Sequence, residues 1–267
     1  MTAPLLEIRG LTHRFGGLTA VDDFSLAVAP GELVGVIGPN GAGKTTVFNL
    51  ISGVYRASAG SIRFDGTELV GRAPHEIARL GIARTFQNIR LFRDATVLDN
   101  VRTALDATAR YGAAGALLHA GGMRREEERI IAEAHELLAL LKLDRLAGEA
   151  AASLPYGLQR RLEIARALAL RPRLLLLDEP AAGMNPSEIG ALMEFIAWVR
   201  GRFSLTILLI EHQMRLVMGV CERLTVLDFG ATIAAGTPEE VRADPTVLEA
   251  YLGVDEDEAP GGAGEAR

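Results

Sequence analysis

Cysteine is almost missing from this sequence. Cys221 stands alone among 267 residues, which excludes an internal disulfide and fits a reducing compartment. In "LVMGVCERL" it reads as a small buried apolar residue rather than a nucleophile. A basic surplus is missing too: the net charge is −6 and the pI near 5.5, so nucleic acid is not an expected partner. Long hydrophobic runs are also lacking. "LLLL" (174–177) and "LTILLI" (205–210) fall far short of the ~20 residues a membrane-spanning helix needs. "MTAPLLEIRG" meets Glu7 and Arg9 before an apolar targeting core could form, so a cytosolic protein is expected. No internal repeat occurs.

What is present is a globular composition, 49% hydrophobic and 23% charged, enough to bury a core without covalent staples. One domain over residues 1–254, with a helical subdomain at about 91–160, is expected ahead of a disordered acidic, Gly-rich tail at 255–267. Short apolar runs alternate with helical ones, predicting an α/β fold with a mainly parallel sheet. "ELVGVIG" (32–38) predicts a buried strand, and "KTTVFNLISG" (44–53) a helix closed by Gly53. "LLLLD" and "LTILLIE" predict strands covered on both faces. "LLEIRGLTHRF", "DDFSLAV" and "SIRFDG" alternate in polarity and predict an antiparallel sheet. In 124–143, Ile130, Ala134, Leu137, Leu138 and Leu141 share one helical face, whereas 110–123, rich in small residues, predicts a flexible connection with room for a short helix.

"GPNGAGKT" (38–45) follows a predicted strand and opens a predicted helix, the context a phosphate-binding loop requires. Gly38, Pro39, Asn40, Gly41, Ala42 and Gly43 allow successive amides to turn inward around phosphate oxygens, and Thr46 continues into the helix. Lys44 supplies the counter-charge and Thr45 a hydroxyl ligand for Mg²⁺. "LLLLDEP" ends a strand in Asp178, suited to holding hydrated Mg²⁺, followed by Glu179, suited to polarising a water. His212 closes another strand and is the histidine suited to a γ-phosphate; His13, His75, His119 and His135 carry no such placement.

These residues, with Gln87 in "RTFQNIRLF", the signature-like "LPYGLQRR" and the D-loop-like "AAGMNP", resemble the nucleotide-binding subunit of ABC transporters over about 5–253. The resemblance implies a P-loop NTPase (RecA-like) core, an N-terminal antiparallel β subdomain and an inserted α-helical subdomain. It implies ATP and Mg²⁺ as ligands, with each ATP trapped between the P-loop of one subunit and the signature of another. By position, Phe15 would stack on adenine, a core aromatic being the alternative, and Gln87 would contact Mg²⁺ and water. "FQNIRLF" would lie near a membrane subunit's coupling helix. "YGLQRRLEIARAL", "GTPEEVR" and "AYLG" narrow the resemblance to branched-chain amino-acid importer ATPases. That implies a peripheral subunit on the cytoplasmic face of the inner membrane. Its partners would be membrane-spanning permease subunits, a second, different ATPase or a second copy of itself, and, indirectly, a periplasmic solute-binding protein. A nucleotide-gated subunit with weak hydrolysis and the ATPase of a related lipid exporter are the alternatives.

The signature departs from the family's L-S-G-G-Q: the chain has Leu154, Pro155, Tyr156, Gly157 and Leu158. Pro155 removes a hydroxyl and an N–H, and Leu158 an amide side chain. One lost charge-assisted hydrogen bond costs on the order of 1.5–3 kcal/mol, roughly a ten- to hundredfold slowing if spent in the transition state. The expectation is a competent site on this chain's own P-loop and a weakened one where its signature serves a partner.

Overall fold

The computed structural model describes residues 3–107 and 120–252. The chain divides into two compact units, residues 1–71 with 209–267, and residues 72–208.

In the first unit, β1 (Leu6–Phe15), β2 (Leu18–Val28), β4 (Ala59–Phe64) and β5 (Thr67–Glu68) form an antiparallel sheet in the order β2-β1-β4-β5. Leu6 pairs with Val28 on one side and Phe64 on the other, so alternate residues Leu6, Ile8, Leu26, Val28, Ile62 and Phe64 meet on one buried face. The same unit carries β3 (Leu33–Ile37), which runs parallel to β9 (Arg223–Asp228), itself antiparallel to β10 (Ala231–Gly236). All five residues of β3 are buried, which is why its sequence does not alternate. Helix α1 (Lys44–Ile51) buries Val47, Phe48, Leu50 and Ile51, and Gly53 follows its end at φ 72°.

In the second unit β6 (Ile82–Arg84) runs parallel to β7 (Leu174–Asp178), and β8 (Thr206–Ile210), of which residues 206–208 belong to this unit, is next to β7 in the sheet order. Helix α2 (Pro74–Arg79) precedes β6. Helix α3 (Val97–Asp106) starts at Thr96, whose hydroxyl accepts from the Asp99 amide, and packs on α4 (Ala120–Leu140) and α5 (Tyr156–Ala169). The buried line of α4 is Ile130, Ala134 and Leu138; Leu137 is half-buried and Leu141 buried just beyond the helix. The last four residues of the connection expected at 110–123 are helical and belong to α4; the rest lies outside the described residues, as does the acidic tail. Helix α6 (Pro186–Phe203) opens on an Asn185–Glu188 capping box at the end of "AAGMNP". Among the described residues no helix is long and apolar enough to cross a membrane.

Candidate functional site

Two sets of functional side chains are built, one in each unit. In the first, the chain leaves β3 at Ile37, turns through 38–43 and enters α1 at Lys44. Two positions force glycine. Gly38 has φ +146°, and a Cβ there would sit 1.9 Å from the Leu227 carbonyl oxygen. Gly43 has φ +99°, and its Cβ would sit 2.3 Å from that of Ala20. Pro39 and Ala42 are buried, Asn40 and Gly41 exposed, and the Ala42 amide donates to the Pro39 carbonyl at 3.2 Å. The Lys44 side chain folds back over this turn, its Nζ donating to the carbonyls of Gly38 and Pro39, both at 2.7 Å. A cation is thus held over a turn that ends in a helix N-terminus, an arrangement that attracts phosphate. Thr45 is exposed and Thr46 half-buried in the first helical turn.

Helix α7 (Met214–Val220) follows β8 through His212. His212 is exposed, and the loop is shaped by the fully buried Glu211, whose carboxylate accepts the amides of His212 at 3.0 Å and Gln213 at 3.1 Å. Phe15, at the end of β1, is 43% exposed, which rules out a purely core role. Its ring packs edge-on against His13, centroids 4.5 Å apart, and Tyr55 at 5.2 Å, leaving an aromatic corner open to solvent. After α8 (Pro238–Ala243), helix α9 (Pro245–Leu252) carries Tyr251 to the P-loop. Burial pushes its phenol pKa up, opposed by the Gly38 amide, which faces the hydroxyl without a close hydrogen bond.

In the second unit β7 delivers Asp178 into a buried ion pair. Its Oδ2 accepts from Arg84 Nη2 at 2.7 Å, with side chains 3% and 6% exposed. Its other oxygen, Oδ1, is buried without a hydrogen-bond partner. An orphaned carboxylate oxygen beside a satisfied one suits a hard divalent cation or its bound water. Among the described residues no group of three or more His, Cys, Asp or Glu is placed to hold a metal ion. The next residue, Glu179, is held at φ 43°, a left-handed conformation that costs a non-glycine residue of order 1–3 kcal/mol. That turn aims its carboxylate at Gln87, whose Nε2 donates to Oε2 at 2.7 Å. The structure therefore brings together Gln87 and Glu179, 92 residues apart in sequence.

The signature lies at the start of α5. Pro155 is the N-cap, without a side-chain cap, and Leu154 is buried behind it. Gly157 and Leu158 are half-buried, and the Tyr156 ring is 40% exposed. The amides of Leu158 and Gln159 bond back to the Pro155 carbonyl, at 2.9 and 3.0 Å, so the helix N-terminus is intact despite the proline. Beside the 86–92 segment opens a groove of about 260 Å³, lined by Phe86, Arg90, Phe92, Thr103, Glu163 and Arg166.

Sequence reasoning missed Arg84, Glu211 and Tyr251. Glu211 adjoins His212, and a charge closing an apolar strand run was the available signal; Arg84 opens "RTFQNIRLF" with no such signal.

The family model described as ABC transporter matches residues 21–182, and that of the branched-chain amino acid ATP-binding cassette transporter matches 231–257. The high-affinity branched-chain amino acid transport ATP-binding protein BraF of Pseudomonas aeruginosa is 47% identical over 95% of this chain and 99% of its own length. The corresponding LivG of Escherichia coli K12 is 46% identical over the same shares. The solved ADP conformation of MJ1267, an ATP-binding cassette of an ABC transporter, superposes with a TM-score of 0.82 at 31% identity, over 94% of this chain and 100% of that one. With the P-loop, Asp178 and Glu179 in place on such a fold, this chain belongs to the ATP-binding subunits of ABC transporters.

Proposed function

We propose that this chain hydrolyses ATP to power the import of branched-chain or related amino acids. The observation that supports import is the likeness to BraF and LivG across nearly the whole chain, including the C-terminal 231–257 segment. The substrate's adenine stacks on Phe15, and its phosphates lie against the amides of 38–46 with Lys44 as counter-charge. Thr45, Asp178 and Gln87 would hold Mg²⁺, which would supply charge neutralisation at the phosphate oxygens. Glu179 accepts a proton from the attacking water as the water oxygen bonds to the γ-phosphorus and the bond to the bridging oxygen breaks. Gln87 fixes the carboxylate that does this, and His212 hydrogen-bonds the γ-phosphate and orients the water.

The groove beside 86–92 receives a permease subunit on the cytoplasmic face of the inner membrane, with a periplasmic binding protein delivering solute from the other side. The signature of this chain meets ATP on a second ATPase subunit. A different subunit fits better than a second copy, because Pro155 and Leu158 would weaken both sites of a self-dimer.

The test is ATP-driven uptake of labelled leucine, isoleucine and valine by the assembled transporter in proteoliposomes. Glu179→Gln should keep MgATP binding yet lower hydrolysis and uptake at least tenfold, the cost of losing a positioned base. Lys44→Ala should weaken nucleotide binding itself. Hydrolysis without uptake of any of the three solutes would refute the import reading, and unchanged turnover in Glu179→Gln would remove that residue from its role.

A further inference from the structure

Helix α5 does more than present the signature loop. Tyr156, Arg160, Glu163 and Arg166 are spaced four, three and three apart, so they share one face of the helix. That face meets the segment carrying Gln87. Arg160 is fully buried, and its guanidinium reaches four acceptors. Nη1 donates to the Phe86 carbonyl at 2.8 Å and to Glu163 Oε2 at 2.6 Å. Nη2 donates to the Gln87 carbonyl at 3.0 Å and to the Tyr156 hydroxyl at 3.2 Å. Glu163, 5% exposed, holds the same segment from its donor side: its Oε1 accepts the Phe86 amide at 3.2 Å and, more distantly, the Arg90 amide at 3.5 Å. Arg166 completes the row, donating to the Arg90 carbonyl and lying 4.8 Å over the Phe92 ring.

Burying this ion pair is not the cheapest way to pack a helix on a loop, since apolar residues of similar volume do so at equal or lower cost. What the charges add is direction: a planar guanidinium fixes two successive carbonyls at once, which an apolar contact cannot. The peptide so fixed is that of Gln87, whose side chain contacts Glu179. We propose that Arg160 and Glu163, with the Tyr156 hydroxyl, are positioning residues. They set the place of Gln87 against Glu179 and tie it, within one chain, to the first turn of the signature helix. They act on turnover and leave nucleotide affinity to the P-loop. The inference rests on the reading of Gln87 and Glu179 as hydrolytic residues.

Arg160→Lys keeps the charge but not the fork, and Glu163→Gln keeps the shape but not the charge. In the assembled transporter each should lower kcat about tenfold, the effect of roughly one misplaced hydrogen bond. ATP affinity should stay within about twofold, since neither residue belongs to the phosphate-binding turn. In a Gln87→Ala background the same substitutions should lower kcat no further, because the group they position is gone. Amide hydrogen exchange of the nucleotide-free chain gives a readout independent of activity: protection at residues 86–90 should fall in Arg160→Lys while that of β7 is kept. An undiminished kcat, equal losses with and without Gln87, or unchanged protection at 86–90 would each overturn the proposal. An assembled wild-type transporter with no ATP hydrolysis would instead sink the hydrolytic reading, and the exchange measurement would still decide whether Arg160 holds the segment.

Discussion

The Arg84–Asp178 pair offers the most exacting test of how the end of β7 is held. Both side chains are almost wholly buried, 2.7 Å apart, so neither charge can turn to water if the other is removed. Arg84→Met keeps most of the aliphatic volume and deletes the charge, stranding a carboxylate whose second oxygen already has no partner. Breaking one side of a buried pair costs about 3–5 kcal/mol. At roughly 2–4 °C per kcal/mol for a chain of this size, that is a fall of about 6–20 °C in Tm. Urea titration gives the free energy and differential scanning the midpoint. Asp178→Asn in the same background should recover much of the loss, because the stranded charge is then neutral. Mg²⁺ should also recover part of it by binding the folded state, whereas Na⁺ at matched ionic strength should not. A loss below about 1 kcal/mol, the worth of an exposed pair, would show that water reaches Asp178 and would refute the reasoning.

Phe15→Ala should weaken ATP and GTP binding alike by about 1–3 kcal/mol, since a π face stacks on either purine without reading its edge. Intact affinity for both nucleotides would exclude the stacking role. Glu163 supplies a pH test: burial raises its carboxyl above 4.5 by more than Arg160 and the amides of Phe86 and Arg90 lower it. Just above pH 4.5 the folded chain therefore keeps a proton that the unfolded chain has released, so this group's contribution to stability falls as pH rises through that window. Urea midpoints measured against pH should show the slope in the wild type and a flatter profile in Glu163→Gln. For the signature, Pro155→Ser with Leu158→Gln should raise both ATP-driven self-association and turnover of the isolated subunit. Brisk, cooperative hydrolysis by the unmodified chain alone would mean that Gly157 and the helix N-terminus suffice.

The parts of the fold and site that were legible are those whose chemistry is local. Gly38 and Gly43 announce a turn because each stands where a Cβ would strike a carbonyl oxygen. "LLLLD" announces β7 because all five residues are buried. Helix α4 was legible from Arg124 onward; its start at Ala120 was not, since glycine lowers local propensity while packing further along supplies the stability that lets the helix extend. The groups that hold Asp178 and Gln87 were hidden for a different reason. Arg84 acquires meaning from a carboxylate 94 residues away, which no local pattern announces. Arg160 and Arg161 show how fine the distinction is. The two are adjacent and of one type, and both look like solvated charges after a signature loop. Helix phase turns them about 100° apart. Arg160 then points with Tyr156 and Glu163 into the Gln87 segment at 0% exposure, while Arg161 lies 5.1 Å over the Phe195 ring. The relevant signal was the repeat of Tyr156, Arg160, Glu163 and Arg166 on one face. Polar residues at core spacing mark a helix whose buried side grips backbone rather than side chains, and here that backbone belongs to Gln87.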